Sequence, residues 1–240
     1  MDETTKKLRG VVLAGAVVAV AVAAGAPAGR AQEAGRAARP SADEVGAWVQ
    51  RFYDQTRSLD TRFTQRYSNR VYRRTDVSRG RLRIRRPGRM RFDYDRPNGK
   101  VIAANGTRMM VYEPGDGGGP GQYFDQPMSD SELPSALSFL TSDGRLADDF
   151  RFRLLDARRY RFAQGYVLEL RPRRRSPHFT RLLFYVDGRA QTRGVVHRVV
   201  IVDHSNNRNR FDFSHQQLNR RVPDSVFAFR PPRGARRIQP

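Results

Sequence analysis

Two hydrophobic periods divide the chain. Between Ser41 and Tyr53 the apolar residues Val45, Trp48, Val49, Phe52 and Tyr53 stand at i, i+3, i+4, i+7 and i+8. This spacing predicts one apolar stripe along an amphipathic helix. Ser41 opens the helix and Glu44 follows three residues later, the spacing of a capping box. After Leu59 the period drops to two. Leu82 and Ile84 alternate with Arg81, Arg83 and Arg85. Met90, Phe92 and Tyr94 alternate with Arg91, Asp93 and Asp95, and Phe150, Phe152 and Leu154 with Arg151 and Arg153. Successive side chains of a strand point to opposite faces. These runs therefore predict a sheet with one apolar, aromatic face and one charged face, and the helix stripe is expected to pack on the apolar one.

Strands are predicted near 61–69, 77–86, 89–95, 100–105, 107–113, 122–126, 150–157, 164–172, 179–186, 195–204 and 208–217. Asn105-Gly106 is a two-residue hairpin signal, and the glycine-rich 114–121 reads as a flexible loop. The β pattern breaks over 129–147, where Leu133, Leu137 and Leu140 share one side of a short helix. About eleven strands, an N-terminal helix and a helical insert give a mainly β (α+β) fold. It is expected to be a single, strongly curved antiparallel sheet, not a set of βαβ units.

The first 31 residues fall outside this pattern. Lys6, Lys7 and Arg9 precede the uncharged apolar run Val11–Ala24, and Gly29 and Ala31 stand at −3 and −1 of a cut before Gln32. This is the form of a secretory signal peptide; the run is short for a span of roughly 20 apolar residues. Residues 32–40 read as a linker, 41–234 as the folded domain and 235–240 as a tail. The chain has no cysteine, so an exported fold would rest on its core without disulfides, and no acylated cysteine is available. A monomer in a bacterial periplasm is expected.

Charge brings in a competing reading. The formal net charge is +21, carried almost wholly by arginine, and it favours anionic surfaces. A single-strand nucleic-acid site needs aromatics and cations on one exposed face. Here they alternate on opposite faces, and no nucleic-acid-binding motif is present, so no nucleic-acid partner is expected. Contact with an anionic membrane surface suits the charge better. Catalysis finds little support. His178, His197, His204 and His215 lack metal-ligand spacing, although His204 and His215 are candidates to meet across a hairpin. Asp203, His204 and Ser205 are adjacent on a strand and cannot form a triad with one another. The glycines at 117–119 lack the Lys-Ser/Thr of a phosphate loop. No enzyme activity, metal or cofactor is expected. What remains is the apolar face itself, which encloses either a ligand cavity or a solid core.

Several segments in order carry a resemblance. "FTQ" (63–65) follows the first helix. "GRLRIRRPGRMRFDY" (80–94) ends a strand on Arg-Pro and restarts in an aromatic strand. "RP" (96–97), "VIAANGTRMMVYEP" (101–114) and "FAFRPPRG" (227–234) follow. Together the series, over roughly residues 41–234, resembles the LolA family of outer-membrane lipoprotein carrier proteins, which are periplasmic chaperones. The resemblance implies an unclosed β-barrel with a helical lid over an apolar cavity for lipoprotein acyl chains. It also implies cargo taken from an inner-membrane ABC transporter and passed to an outer-membrane receptor, with no cofactor. By motif match it makes Arg86, before Pro87, the residue that locks the lid through its backbone. The expected cavity residues are Leu82, Ile84, Met90, Phe92, Tyr94, Phe152 and Leu154, with Trp48, Phe52, Leu137 and Leu140 from the cover. The chain departs from the family pattern in three ways. Met90, flanked by Arg89, stands where the family has a bulky apolar contact residue; the 114–121 loop is rich in glycine; and the surface is unusually basic. The family's receptor is itself a lipoprotein, and the missing cysteine argues against that role. Two other classes remain open: an envelope lipid- or lipoprotein-sensing or glycolipid-binding protein of the same fold, and an envelope protein that binds anionic polymers.

Overall fold

A computed structural model describes residues 39–128 and 144–239. Helix α1 (Ala42–Asp54) begins with the expected capping box: the Glu44 N–H donates to Ser41 Oγ at 3.1 Å and the Ser41 N–H to Glu44 Oε2 at 2.7 Å. The strands follow in chain order: β1 (Ser58–Asn69), β2 (Arg74–Arg85), β3 (Arg89–Tyr94), β4 (Val101–Asn105), β5 (Arg108–Glu113) and β6 (Gln122–Pro127). A single-turn α2 (Leu146–Asp149) leads into β7 (Phe150–Leu155), β8 (Gly165–Pro172), β9 (Arg181–Asp187), β10 (Val196–Val202), β11 (Arg208–Leu218) and β12 (Arg236–Arg237). All twelve form one unclosed, curved sheet in the order β12-β6-β5-β4-β3-β2-β1-β11-β10-β9-β8-β7. The long β1 pairs with β2 on one side and β11 on the other, joining the two meanders.

Eleven expected strands are present within a few residues of their predicted limits; the twelfth is a correction. Arg236 and Arg237, in the segment expected as a tail, pair in parallel with Gln122 and Tyr123 of β6. The sheet is therefore mixed, not wholly antiparallel. A two-residue strand carries no readable alternation, which needs at least about four residues. Of the expected helix 129–147 only residues 144–147 are described, where α2 begins, and Leu133, Leu137 and Leu140 lie outside the described residues. His204 and His215 do not face each other. The β10–β11 register pairs Val202 with Arg208, so His204 sits in the turn and His215 lies towards the far end of β11. His204 Nε2 lies 2.8 Å from the Ser176 carbonyl oxygen.

The main core lies on the face that bears α1, here the inner face. Parity holds on β2 and β3: Leu82, Ile84, Met90 and Phe92 are buried there. The outer face needs a second correction, because it is not uniformly charged. On β8–β10 it carries an apolar cluster of Val167, Leu183, Tyr185, Val200 and Val202, packed by Tyr160 and Phe162 of the β7–β8 loop. The runs "LLFYV" and "VVIV" are continuous, as expected of strands buried on both faces. On β2 and β3 the segment after β11 crosses the outer face as a strap. Its Val222 and Phe227 are buried. Arg85 Nη1 donates to the Val222 carbonyl at 2.6 Å and Arg91 Nη1 to the Val226 carbonyl at 3.0 Å. The two guanidinium groups also lie 5.6 Å and 5.4 Å from the ring centres of Phe227 and Phe229. Arginines that parity assigns to water thus hold a second layer of chain.

Candidate functional site: the inner apolar face and its helical cover

Inward-facing strand residues and α1 together build the inner apolar face. Helix α1 runs over β7 and β8, and its Gly46 permits the close approach. A Cβ there would lie 2.6 Å from the ring of Phe152. Trp48 packs edge-on against Tyr166 of β8 at 5.7 Å between ring centres, with the Arg193 guanidinium 4.9 Å over its ring. Away from α1 the inner face is aromatic. Phe63 of β1 contacts Phe92 at 5.4 Å, Tyr94 at 5.0 Å and Phe211 at 6.0 Å, and Phe211 stacks on Phe213 at 6.5 Å.

The structure brings nine of the eleven expected cavity residues into one apolar cluster. Leu82, Ile84, Met90 and Phe92 are buried within it. Trp48, Phe52, Tyr94, Phe152 and Leu154 are partly buried against it. Leu137 and Leu140 lie outside the described residues. Sequence reasoning passed over Phe63, Phe211 and Phe213, although they belong to the same surface. Phe211 and Phe213 alternate in "RFDFSH" and were findable by parity. Phe63 is harder to place, because the register with β11 shifts between Asp60 and Arg62. Such a slip inverts the apparent faces of a strand.

Two of the polar contacts that fasten α1 meet at Tyr53. Arg86, at the end of β2, donates from Nη1 to the Tyr53 carbonyl oxygen at 2.6 Å, and its guanidinium lies 3.8 Å from Asp54 Oδ1. The last carbonyls of a helix lack intrahelical donors, and a cation is favoured at this negative end of the helix dipole. Arg86 therefore adds a second donor to this carbonyl, beside the Thr56 N–H at 3.0 Å, and a charge at the negative end of α1. Its backbone N–H donates to the Arg57 carbonyl at 2.9 Å, which fixes the base of the side chain. The Tyr53 hydroxyl in turn accepts the buried N–H of Val196 on β10 at 3.3 Å. Burial pushes the phenols of Tyr53 and Tyr94 well above their usual range, so both stay uncharged and the face stays free of anions. The expected lock joins Arg86 to the mid-chain lid, whose residues 129–143 lie outside the described residues; the bond observed is to α1.

One buried polar residue, Thr61, stands on the inner face opposite Leu82, and its hydroxyl donates to the Ser214 carbonyl at 2.8 Å. Glu169 and Asp187 each meet arginines on the outer side. No cluster of His, Cys, Asp or Glu able to hold a metal occurs among the described residues. Among the described residues the inner face is mainly carbon surface, interrupted by Thr61 and by the Gln65–Asn209 hydrogen bond at 2.9 Å.

Curated relatives fit this architecture. An outer-membrane lipoprotein carrier protein of Chromobacterium violaceum is 26% identical over 203 residues, covering 84% of this chain and 90% of its own. One of Nitrosospira multiformis is 24% identical over 185 residues, covering 76% and 83%. A LolA superfamily protein of Nitrosomonas europaea, known from a crystal structure, aligns over 80% of this chain and 99% of its own with a TM-score of 0.41 and 15% identity. Residues 54–230 match the family model of the outer membrane lipoprotein carrier protein LolA, and the chain belongs to that family.

Proposed function

We propose that this protein is a periplasmic carrier that takes the acyl chains of lipoproteins onto its inner face and moves them between the inner and outer membranes. The observation that carries this reading is the inner apolar face, covered over β7 and β8 by a helix that the Arg86–Tyr53 hydrogen bond fastens and aromatic beyond it. Family membership and the names of the relatives support it. Loading takes place by displacement of the cover, so the inner face is packed when empty and opens for cargo.

The energies allow this exchange. Lifting α1 exposes Val45, Val49 and Tyr53, which are fully buried, and more of Trp48 and Phe52. At roughly 2 kcal/mol for each full side chain and half that for each partial one, the cost is about 8 kcal/mol. An acyl chain of about fifteen methylenes returns about 12 kcal/mol at ~0.8 kcal/mol each. The surplus is about 4 kcal/mol, and a charged hydrogen bond of about 1.5–3 kcal/mol offsets a large part of it. Arg86 then sets how readily cargo enters and leaves. The proposal includes release of cargo by an inner-membrane ABC transporter to the carrier and its acceptance by an outer-membrane receptor.

Arg86→Leu tests the reading. The variant is expected to bind an apolar fluorescent probe more tightly and to release bound lipid more slowly than the parent. Unchanged binding and release would remove Arg86 from the mechanism. Mass spectrometry of protein purified from the periplasm tests the cargo, with acylated lipoprotein or its acyl chains as the expected companion.

A further inference from the structure

The outer face of β7–β11, opposite the proposed cargo surface, carries a positive charge that its own carboxylates do not balance. Buried Glu169 is shared by three arginines: Arg153 at 2.9 Å, Arg171 at 3.2 Å and Arg181 at 3.7 Å. Asp212 is likewise shared by Arg66 at 3.0 Å, Arg210 at 2.7 Å and Arg198. Three guanidinium groups around one carboxylate leave two positive charges in excess at each centre. Arg208, exposed beside them, has no ion-pair partner among the described residues.

These arginines are contiguous by register. Ser68, Arg208, Val202 and Arg181 form one cross-strand row; Arg66, Arg210, Val200 and Leu183 form the next. Between them lies a groove of about 260 Å³ with an apolar floor of Leu183, Tyr185, Val200 and Val202. That volume suits a small anionic head with some carbon attached and is too small to seat a helix.

A second feature adjoins this groove. The β1–β2 hairpin extends past Ser68 to a tip that exposes Val71 at 73% and Tyr72 at 79%. Asn69 fixes this tip by accepting the N–H groups of Val71 at 3.0 Å and Tyr72 at 3.1 Å. The Arg70 N–H donates to Asn207 Oδ1 at 2.9 Å, which ties the tip to the β10–β11 turn beside Arg208. Arg70 and Arg73 are exposed around the apolar pair. An aliphatic and an aromatic side chain, ordered, exposed and ringed by arginine, fit the boundary between headgroups and acyl chains, where amphipathic tyrosine is favoured.

We propose that the β1–β2 tip and the adjoining outer arginine face dock this protein onto a bilayer rich in anionic phospholipid. Val71 and Tyr72 enter the headgroup boundary, and Arg70, Arg208 and the excess charge of the two triads meet the lipid phosphates. An acidic protein would match the charge but leaves the exposed Val71–Tyr72 pair unexplained, which is why the bilayer is the favoured occupant. None of this depends on the acyl-carrier reading, because the inner face takes no part in it.

Co-sedimentation of the full mature chain with vesicles tests the proposal. The protein should bind vesicles of phosphatidylglycerol mixed into phosphatidylcholine and not vesicles of phosphatidylcholine alone. Arg70→Gln with Arg208→Gln should weaken binding by about 25-fold, at roughly five-fold for each arginine near the surface. Arg221→Gln with Arg233→Gln removes the same charge from exposed sites elsewhere and should change binding by less than about two-fold, given screening beyond ~10 Å. Tyr72→Ser should weaken it by about five-fold. Both pairs of arginines make no described ion pair, so the variants should keep the parent's circular dichroism and melting temperature. Equal losses from the two pairs would mean that bulk charge alone is responsible and would overturn the docking face. Tight binding to soluble polyglutamate with no effect of Tyr72→Ser would overturn the bilayer in favour of an acidic partner.

Discussion

Removing one oxygen atom from Tyr53 should make the carrier bind apolar ligands more tightly. The hydroxyl is the acceptor for the Val196 N–H, which is buried between α1 and β10. In Tyr53→Phe the ring keeps its packing, including the edge contact with Phe52 at 5.1 Å between ring centres. The Val196 N–H loses its acceptor, and a buried unsatisfied donor costs about 1–2 kcal/mol. That penalty applies only while α1 is docked, since water reaches the N–H once the helix lifts. The covered state is therefore destabilised relative to the open one. Apparent affinity for a ligand that binds only the open state is reduced by the fraction open. A shift of about 1–2 kcal/mol should then tighten probe binding by roughly 5- to 30-fold. The assay is a fluorescence titration with an apolar probe, run beside a denaturant titration for global stability. Combining Tyr53→Phe with Arg86→Leu should give a non-additive gain, because both bonds hold the same residue. Loss of global stability with no change in probe affinity would refute the reasoning, since α1 would then be a fixed part of the core.

Two further outcomes follow from other parts of the fold. Burial alone would raise the carboxyl of Asp187, but bonds from Arg189 and His197 outweigh it and hold the group well below the ordinary carboxylate range. A depressed folded value stabilises the protein fully above the unfolded value of about 4 and loses that contribution as pH falls towards the folded value. Asp187→Asn should cost about 2 kcal/mol at neutral pH, with exposed partners keeping the figure at the low end. It should also flatten the acid limb of stability, as read from denaturation midpoints between neutral and strongly acid pH; an unchanged acid limb would show that other groups set it. Phe227→Ala removes the buried ring of the outer strap and should cost about 3 kcal/mol, measured as a lower melting temperature. A shift too small to resolve would mean that the strap contributes little to the closed fold.

Parity was enough to find the inner face because β2, β3 and β7 are regular and alternate strictly. The same reasoning read Arg83, Arg85 and Arg91 as facing water, and here local pattern was insufficient. They lie on the outer side as parity requires, but what covers Arg85 and Arg91 arrives from residues 222–229. Nothing in "RIRRPGRMRFDYD" announces that distant segment. Arg86 was legible only by motif resemblance, since no periodicity predicts that a strand-end side chain will reach a helix carbonyl. The double burial of β8–β10 was written in their unbroken apolar runs, yet alternation remained the rule applied to the whole sheet. Tyr53 was read as one position of an apolar stripe. Its role as the meeting point of two fastenings depends on Val196, 143 residues away, a separation that no local window spans.

The parallel pairing of β12 with β6 has a consequence for how the chain reaches its folded state. β6 pairs with β5 on one side, and on the other, among the described residues, Arg236 and Arg237 occupy its edge, with the Ile238 N–H donating to the Tyr123 carbonyl at 2.8 Å. The residues that meet there, Gln122 and Arg236, are 114 positions apart. Until that late segment arrives, β6 presents unpaired N–H and C=O groups, a template for pairing with another chain. Contacts of such long separation form slowly. A chain crossing a membrane N-terminus first would expose this edge for the whole interval between the emergence of β6 and that of β12. The opposite edge, β7, carries Arg151 and Arg153 from the moment it forms, and charge of this kind discourages edge pairing. The vulnerable interval thus belongs to one edge only, and its length is set by the rate at which the last strand is delivered.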